Sequence, residues 1–211
     1  MNGTQTYLEN DWYSGGIPAN VVVGKNVCID TSYGFAPFFS ERNPGLILGD
    51  ACGAYDQTTF IVGPHGQITI GPYTCLNSTS LVCSDRITIG AHCLLAWDVV
   101  LTDTWLESDA PQALRRAVLH AAAADPTRRL PPIATPKPIT LEDNVWVGFD
   151  SAILPGVTLG RGCVVGCKTI VAEDVPPYAV VVGNPARIVR FLEPDDSDAV
   201  RSSALREDSR V

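Results

Sequence analysis

No apolar run in this 211-residue chain approaches the ~18 residues a membrane-crossing helix needs, so such a span is not expected. The first sixteen residues, MNGTQTYLENDWYSGG, lack a basic start and an apolar stretch. They do not read as a secretory signal, and the cytoplasm is the expected location. None of the seven cysteines (28, 52, 75, 83, 93, 163 and 167) falls in a C-x-x-C pair, and their number is odd. That argues against a zinc site or a disulfide framework and for small buried hydrophobes in a reducing compartment. Positive charge is also short: 15 Lys and Arg against 23 Asp and Glu give a net charge of −8. An acidic surface repels phosphate backbones, so nucleic acid is not an expected partner, and a small anion would need a local basic cluster.

Turn formers are abundant instead, with 18 Gly and 16 Pro and no collagen-like period. From Leu141 an aliphatic residue recurs at every sixth position: Val147, Ile153, Leu159, Val165 and Val171. Upstream the same spacing links Ile70, Leu76 and Val82. After one extra residue near Asp85-Arg86 it resumes at Ile89, Leu95 and Leu101, and it begins more loosely at Val23 and Ile29. A period of six is neither 3.6 nor 2, so a helical stripe is excluded. A short strand and a tight turn every six residues would keep one aliphatic side chain inward per turn. Three units would make an 18-residue triangular coil, and coils would stack at about 4.8 Å. Glycines after several of these residues (Gly148, Gly160, Gly166) would ease the corner backbone.

The period stops between 102 and 138. SDAPQALRRAVLHAAAAD reads as a helix, with Ser108 or Asp109 as cap, Pro111 in its first turn and a stripe of Leu114, Val118 and Ala121. An excursion of this length is usually functional or disordered, and the apolar stripe argues for docking.

The runs NVWVG, ILPGVTLGRGCVVG and EDVPPYAVVVGNPARIVR resemble the hexapeptide-repeat acyltransferases, a family that includes galactoside, maltose and xenobiotic acetyltransferases and polysaccharide O-acetyltransferases. The resemblance implies an all-β solenoid: a left-handed parallel β-helix over 17–192 with an inserted helix-containing loop at 102–138. An N-terminal arm (1–16) and a polar C-terminal tail (193–211) would flank it. It also implies a homotrimer with sites between subunits, acetyl-CoA or another acyl-CoA as co-substrate, no metal, and a small hydroxylated acceptor such as a sugar.

Relatives carry their catalytic histidine just after the strand that enters the loop, in an Asp-Thr-Asp-Phe-His-like run. Here Asp103-Thr104-Trp105-Leu106-Glu107 stands there, and no histidine occurs between 93 and 119. Imidazole suits removal of a hydroxyl proton at neutral pH, whereas a carboxylate does so only if burial raises its pKa. The candidate bases are therefore His120, Glu107 and Asp103, each with an ordinary alternative as a solvated or capping residue. If none serves, the chain is a binding or scaffold protein of weak or no activity. For the cofactor the resemblance nominates Trp146, Cys167, Lys168, Ala172, Arg187 and Arg190. Glu173 replaces a common lysine, and Lys168 could stand in for it. Packing between subunits for Trp146, and a solvated end for the arginines, are the competing readings. A lyase of the carbonic-anhydrase type on the same solenoid would need three histidines, but His65, His92 and His120 are too widely spaced for its motif.

Overall fold

The computed structural model describes residues 6–104, 111–124 and 134–194. The chain winds as a triangular prism with three parallel faces. The first face stacks β1 (Val21–Val23), β3 (Leu46–Leu48), β6 (Gln67–Ile70), β9 (Arg86–Ile89), β12 (Ile139–Leu141) and β15 (Thr158–Leu159). The second stacks β2 (Cys28–Ile29), β4 (Gly53–Tyr55), β7 (Cys75–Asn77), β10 (Leu94–Leu95), β13 (Trp146–Val147), β16 (Val164–Val165) and β18 (Ala179–Val182). It ends in an antiparallel strand, β19 (Arg187–Phe191). The third stacks β5 (Thr59–Val62), β8 (Ser80–Cys83), β11 (Val100–Thr102), β14 (Ala152–Ile153) and β17 (Ile170–Val171). This is the expected left-handed parallel β-helix.

The six-residue period is the inward column. Leu141, Val147, Ile153, Leu159, Val165 and Val171 are each buried to within 1% of full burial. Each such side chain contributes on the order of 1.5–3 kcal/mol. Ile70, Leu76, Ile89, Leu95 and Leu101 join them, but Val82 does not. In β8 the inward residues are Leu81 and Cys83, so Val82 faces outward. The register shift lies at the corner after Leu76, where Ser78 has φ 45°, and not at Asp85-Arg86 alone.

The glycines serve a purpose other than the expected one. Gly49, Gly71, Gly90 and Gly148 have ordinary φ values, and the left-handed conformation falls two residues later, at Ala51, Tyr73, His92 and Asp150. What the glycines permit is close stacking. A Cβ on Gly71 would lie 2.5 Å from the carbonyl carbon of Gly90 in the next coil, and one on Gly49 would lie 2.6 Å from the nitrogen of Pro72.

Cysteine fills core positions in four places. Cys52, Cys83, Cys93 and Cys163 are buried, while Cys28 and Cys167 are exposed, and all seven are free thiols. Burial pushes the Cys93 thiol up to about 11 and that of Cys163 up to about 12, so both stay protonated and act as apolar filling.

The described part of the N-terminal arm crosses the open end of the first coil. Asp11 accepts hydrogen bonds from the Thr31 hydroxyl (2.8 Å) and from the backbone nitrogen (2.7 Å) and hydroxyl (2.5 Å) of Ser32. The Ser32 hydroxyl above all holds the Asp11 carboxyl down at about 2. A depressed carboxylate stabilises the docked arm above its unfolded pKa and loses that effect as pH falls through the folded value. Arm docking should therefore be constant above pH 5 and weaken from pH 4 toward 2. Trp12, packed 5.2 Å from the Tyr33 ring, reports it by fluorescence. In Asp11→Asn that acid transition should vanish; an unchanged transition would assign it to other groups.

Candidate active site

The excursion leaves the third face after Thr102 and returns to the first face at Ile139, so its base lies on the corner between those faces. Asp103 anchors it. The side chain is fully buried. One carboxylate oxygen accepts from the backbone nitrogens of Asp85 (2.7 Å) and Arg86 (2.9 Å), and both oxygens accept from that of Ser84, at 2.8 and 3.0 Å. Its own carbonyl accepts from the Lys137 nitrogen at 2.7 Å, which ties the returning strand to the departing one. Burial pushes this carboxyl above the usual carboxylate range, while the three N–H donors pull the other way. A side chain so enclosed holds a corner; it has no open path to an acceptor hydroxyl.

Glu107 lies outside the described residues, as do Ser108 and Asp109. The helix α1 (Gln112–Ala124) is present, with Pro111 accepting in its first turn from the nitrogens of Leu114 and Arg115. None of its residues is buried. Leu114 of the apolar stripe is 45% exposed, and His120 is exposed.

The nominated cofactor residues fall into two groups. Outward positions of the second face align Trp146, Val164, Val180 and Arg190 in a single cross-strand row. Directly paired residues share a face, and three strand spacings of about 4.8 Å put Trp146 roughly 14 Å from Arg190. Leu94 extends the row on the other side of Trp146. Cys167 and Lys168 sit at the adjoining corner, between the second and third faces, with Cys167 exposed and its backbone packed over Gly148. Lys168 is paired with Asp150, and that bond raises the ammonium pKa.

Ala172 and Arg187 belong elsewhere. They line a groove of about 280 Å³ at the end of the prism, together with Glu173 and Asp174. Within one chain Glu173 is thus on the opposite side of the third face from Lys168. Ala172 also lines a second groove, of about 230 Å³, at the base of the excursion. Thr104, Thr135, Lys137, Leu154 and Pro155 complete most of its wall. Lys137 escaped notice in the sequence because it neither obeys the period nor carries a motif, and Thr104 stood in the motif run without being singled out.

Among the described residues no three His, Cys, Asp or Glu side chains are placed to hold a metal. His65 and His92 sit on different corners and His120 on α1, so the three do not form one ligand set. His92 stacks on Tyr73 at 5.2 Å.

Three parallel faces built on six-residue units, with an excursion at one corner and an aromatic–arginine row on a face, define a protein of the hexapeptide-repeat solenoid class. No family model matches the chain. It is 32% identical to a hexapeptide-repeat-containing acetyltransferase of Vibrio cholerae solved with acetyl-CoA, over 71% of this chain and 72% of that one, at a TM-score of 0.56. It is 27% identical to a galactoside acetyltransferase solved with coenzyme A, covering 82% and 66% of the two chains, at a TM-score of 0.53. A chloramphenicol acetyltransferase of Agrobacterium fabrum is 47% identical over 58 residues, 28% of either chain. The chain belongs to the hexapeptide-repeat acetyltransferase family. Its matches to the curated relatives span about a third or less of their length, from 27% to 34%.

Proposed function

We propose that this chain transfers an acyl group, acetyl in the first instance, from coenzyme A to a hydroxyl of a small acceptor, with a saccharide as the acceptor class. The observation that carries the reading is the Trp146–Arg190 row, beside Cys167 and Lys168, in a chain that is 32% identical to an acetyltransferase solved with acetyl-CoA. Trp146 would flank the pantetheine arm, the backbone at Cys167 and Ala172 would bind its amides, and Arg187, Arg190 and Lys168 would face the phosphates. These residues occupy two separated corners of one prism. A site assembled between copies of the chain, a homotrimer, accounts for that division because each copy then offers a different corner.

In the reaction the acceptor oxygen attacks the thioester carbonyl. The C–O bond forms, the C–S bond breaks, and the hydroxyl proton passes through a base to the departing thiolate. With Asp103 enclosed, the base is His120 or Glu107, and His120 is favoured by its exposure on α1 beside an uncovered apolar stripe. Removing a general base costs about a hundredfold or more in kcat. His120→Gln should show that loss in a thiol-release assay with acetyl-CoA over a panel of sugars. If wild type releases thiol and His120→Gln is unimpaired, the base is elsewhere. If wild type binds coenzyme A and releases no thiol with any acceptor, the second reading stands: a binding or scaffold protein. The burial of Asp103, where relatives begin their catalytic run, is what favours that alternative.

A further inference from the structure

Among the described residues, the groove at the base of the excursion is lined by one charged side chain, Lys137, in an otherwise apolar and hydroxyl-bearing wall of Thr104, Thr135, Leu154, Pro155 and Ala172. The backbone of that lysine is held at several points, and its side chain is exposed. Its nitrogen donates to the Asp103 carbonyl at 2.7 Å, and its carbonyl accepts from Gly156 at 3.0 Å. Pro136 and Pro138 restrict the backbone on both sides. Its stem lies across Gly156, where an added Cβ would meet the Lys137 Cβ at 3.3 Å and Cδ at 3.4 Å. Among the described residues Lys137 makes no salt bridge, whereas Lys168 is paired with Asp150 and Arg161 with Asp143. Glu173 and Asp174 line the other groove, beyond Ala172, and the Asp103 carboxylate is buried against the Ser84, Asp85 and Arg86 nitrogens.

On a chain of net charge −8 most of the surface repels an anion, and Lys137, exposed on a wall with no acid among its described lining residues, is a cation beside which a small anion can be held. The volume, about 230 Å³, is roughly that of eight waters at ~30 Å³ each, enough for one small acceptor. We infer that this groove is an anion subsite in which Lys137 selects an acceptor bearing both a hydroxyl and a carboxylate or phosphate: a hydroxylated acid rather than a neutral sugar. The inference rests on the acyl-transfer reading for its role but not for its binding.

Two measurements separate the two. Glucuronate, gluconate and glycerate are compared with glucose, glucitol and glycerol by saturation-transfer NMR, without coenzyme A. At least one acid should bind tenfold or more tightly than its neutral counterpart. Lys137→Met, which keeps the stem and drops the charge, should abolish that preference, and Lys137→Arg should restore part of it. In turnover, Lys137→Met should raise KM for the acid about tenfold, leaving kcat for the neutral partner and the Kd of coenzyme A within twofold. Acid binding that depends on Lys137 in a protein without turnover would sustain the subsite and sink the acyl-transfer reading. No acid preference, a preference insensitive to Lys137→Met, or a change confined to coenzyme A affinity would each overturn the subsite.

Discussion

Asp103→Ala is expected to lower stability by about 4 kcal/mol. Three backbone N–H groups, of Ser84, Asp85 and Arg86, lose their buried acceptor, and each orphaned donor costs about 1–3 kcal/mol, less where water enters. Asp103→Asn keeps one carbonyl oxygen and should lose about half as much. Neither acts on the excursion directly. Its departing and returning ends meet at the Asp103 carbonyl, which both variants retain, so damage reaches the loop only through the collapsed corner. Denaturant midpoints and limited proteolysis of the 105–133 segment would test this. A stable, protease-resistant Asp103→Ala whose turnover alone has fallen would mean that the carboxylate does chemistry and not support.

The second large effect concerns the cofactor. Trp146→Ala removes a ring that is half exposed on a single chain, and Arg190→Ala removes a cation three strands away on the same row. Each should weaken coenzyme A binding about tenfold, near 1.4 kcal/mol. At roughly 14 Å apart the two changes should add, so the double variant should lose about a hundredfold. The rival roles give other signatures. If Trp146 only packs between subunits, its replacement changes oligomeric mass in solution before it changes affinity. If Arg190 is only a solvated charge, Kd does not move.

The solenoid was legible because its cause is local. An inward aliphatic at each sixth residue is enough to specify a coil, and every such residue from Leu141 to Val171 is buried. Val82 escaped because the β8 strand carries two inward residues, Leu81 and Cys83, and a period of six cannot say which of two alternating positions faces the core. The glycines were placed correctly and explained wrongly: the collision that requires them is with the next coil, about 18 residues away, which no local rule can see. Asp103 shows the same limit. Its partners lie 17 to 19 residues upstream, one coil earlier, so a motif comparison offers it as a base while the packing makes it a buttress. Lys137 is the converse. It sits in an unremarkable TPKP return, and only the closing of the corner sets it against Thr104 and Gly156.

The most direct measurement of the central claim is a calorimetric titration of coenzyme A into the purified chain. Saturable binding at one site per chain is predicted, with Kd inside the roughly 1 μM–1 mM range usual for enzyme substrates and weakened by salt as phosphate contacts are screened. No saturable heat at several millimolar coenzyme A, in a protein whose folding and mass are intact, would contradict it.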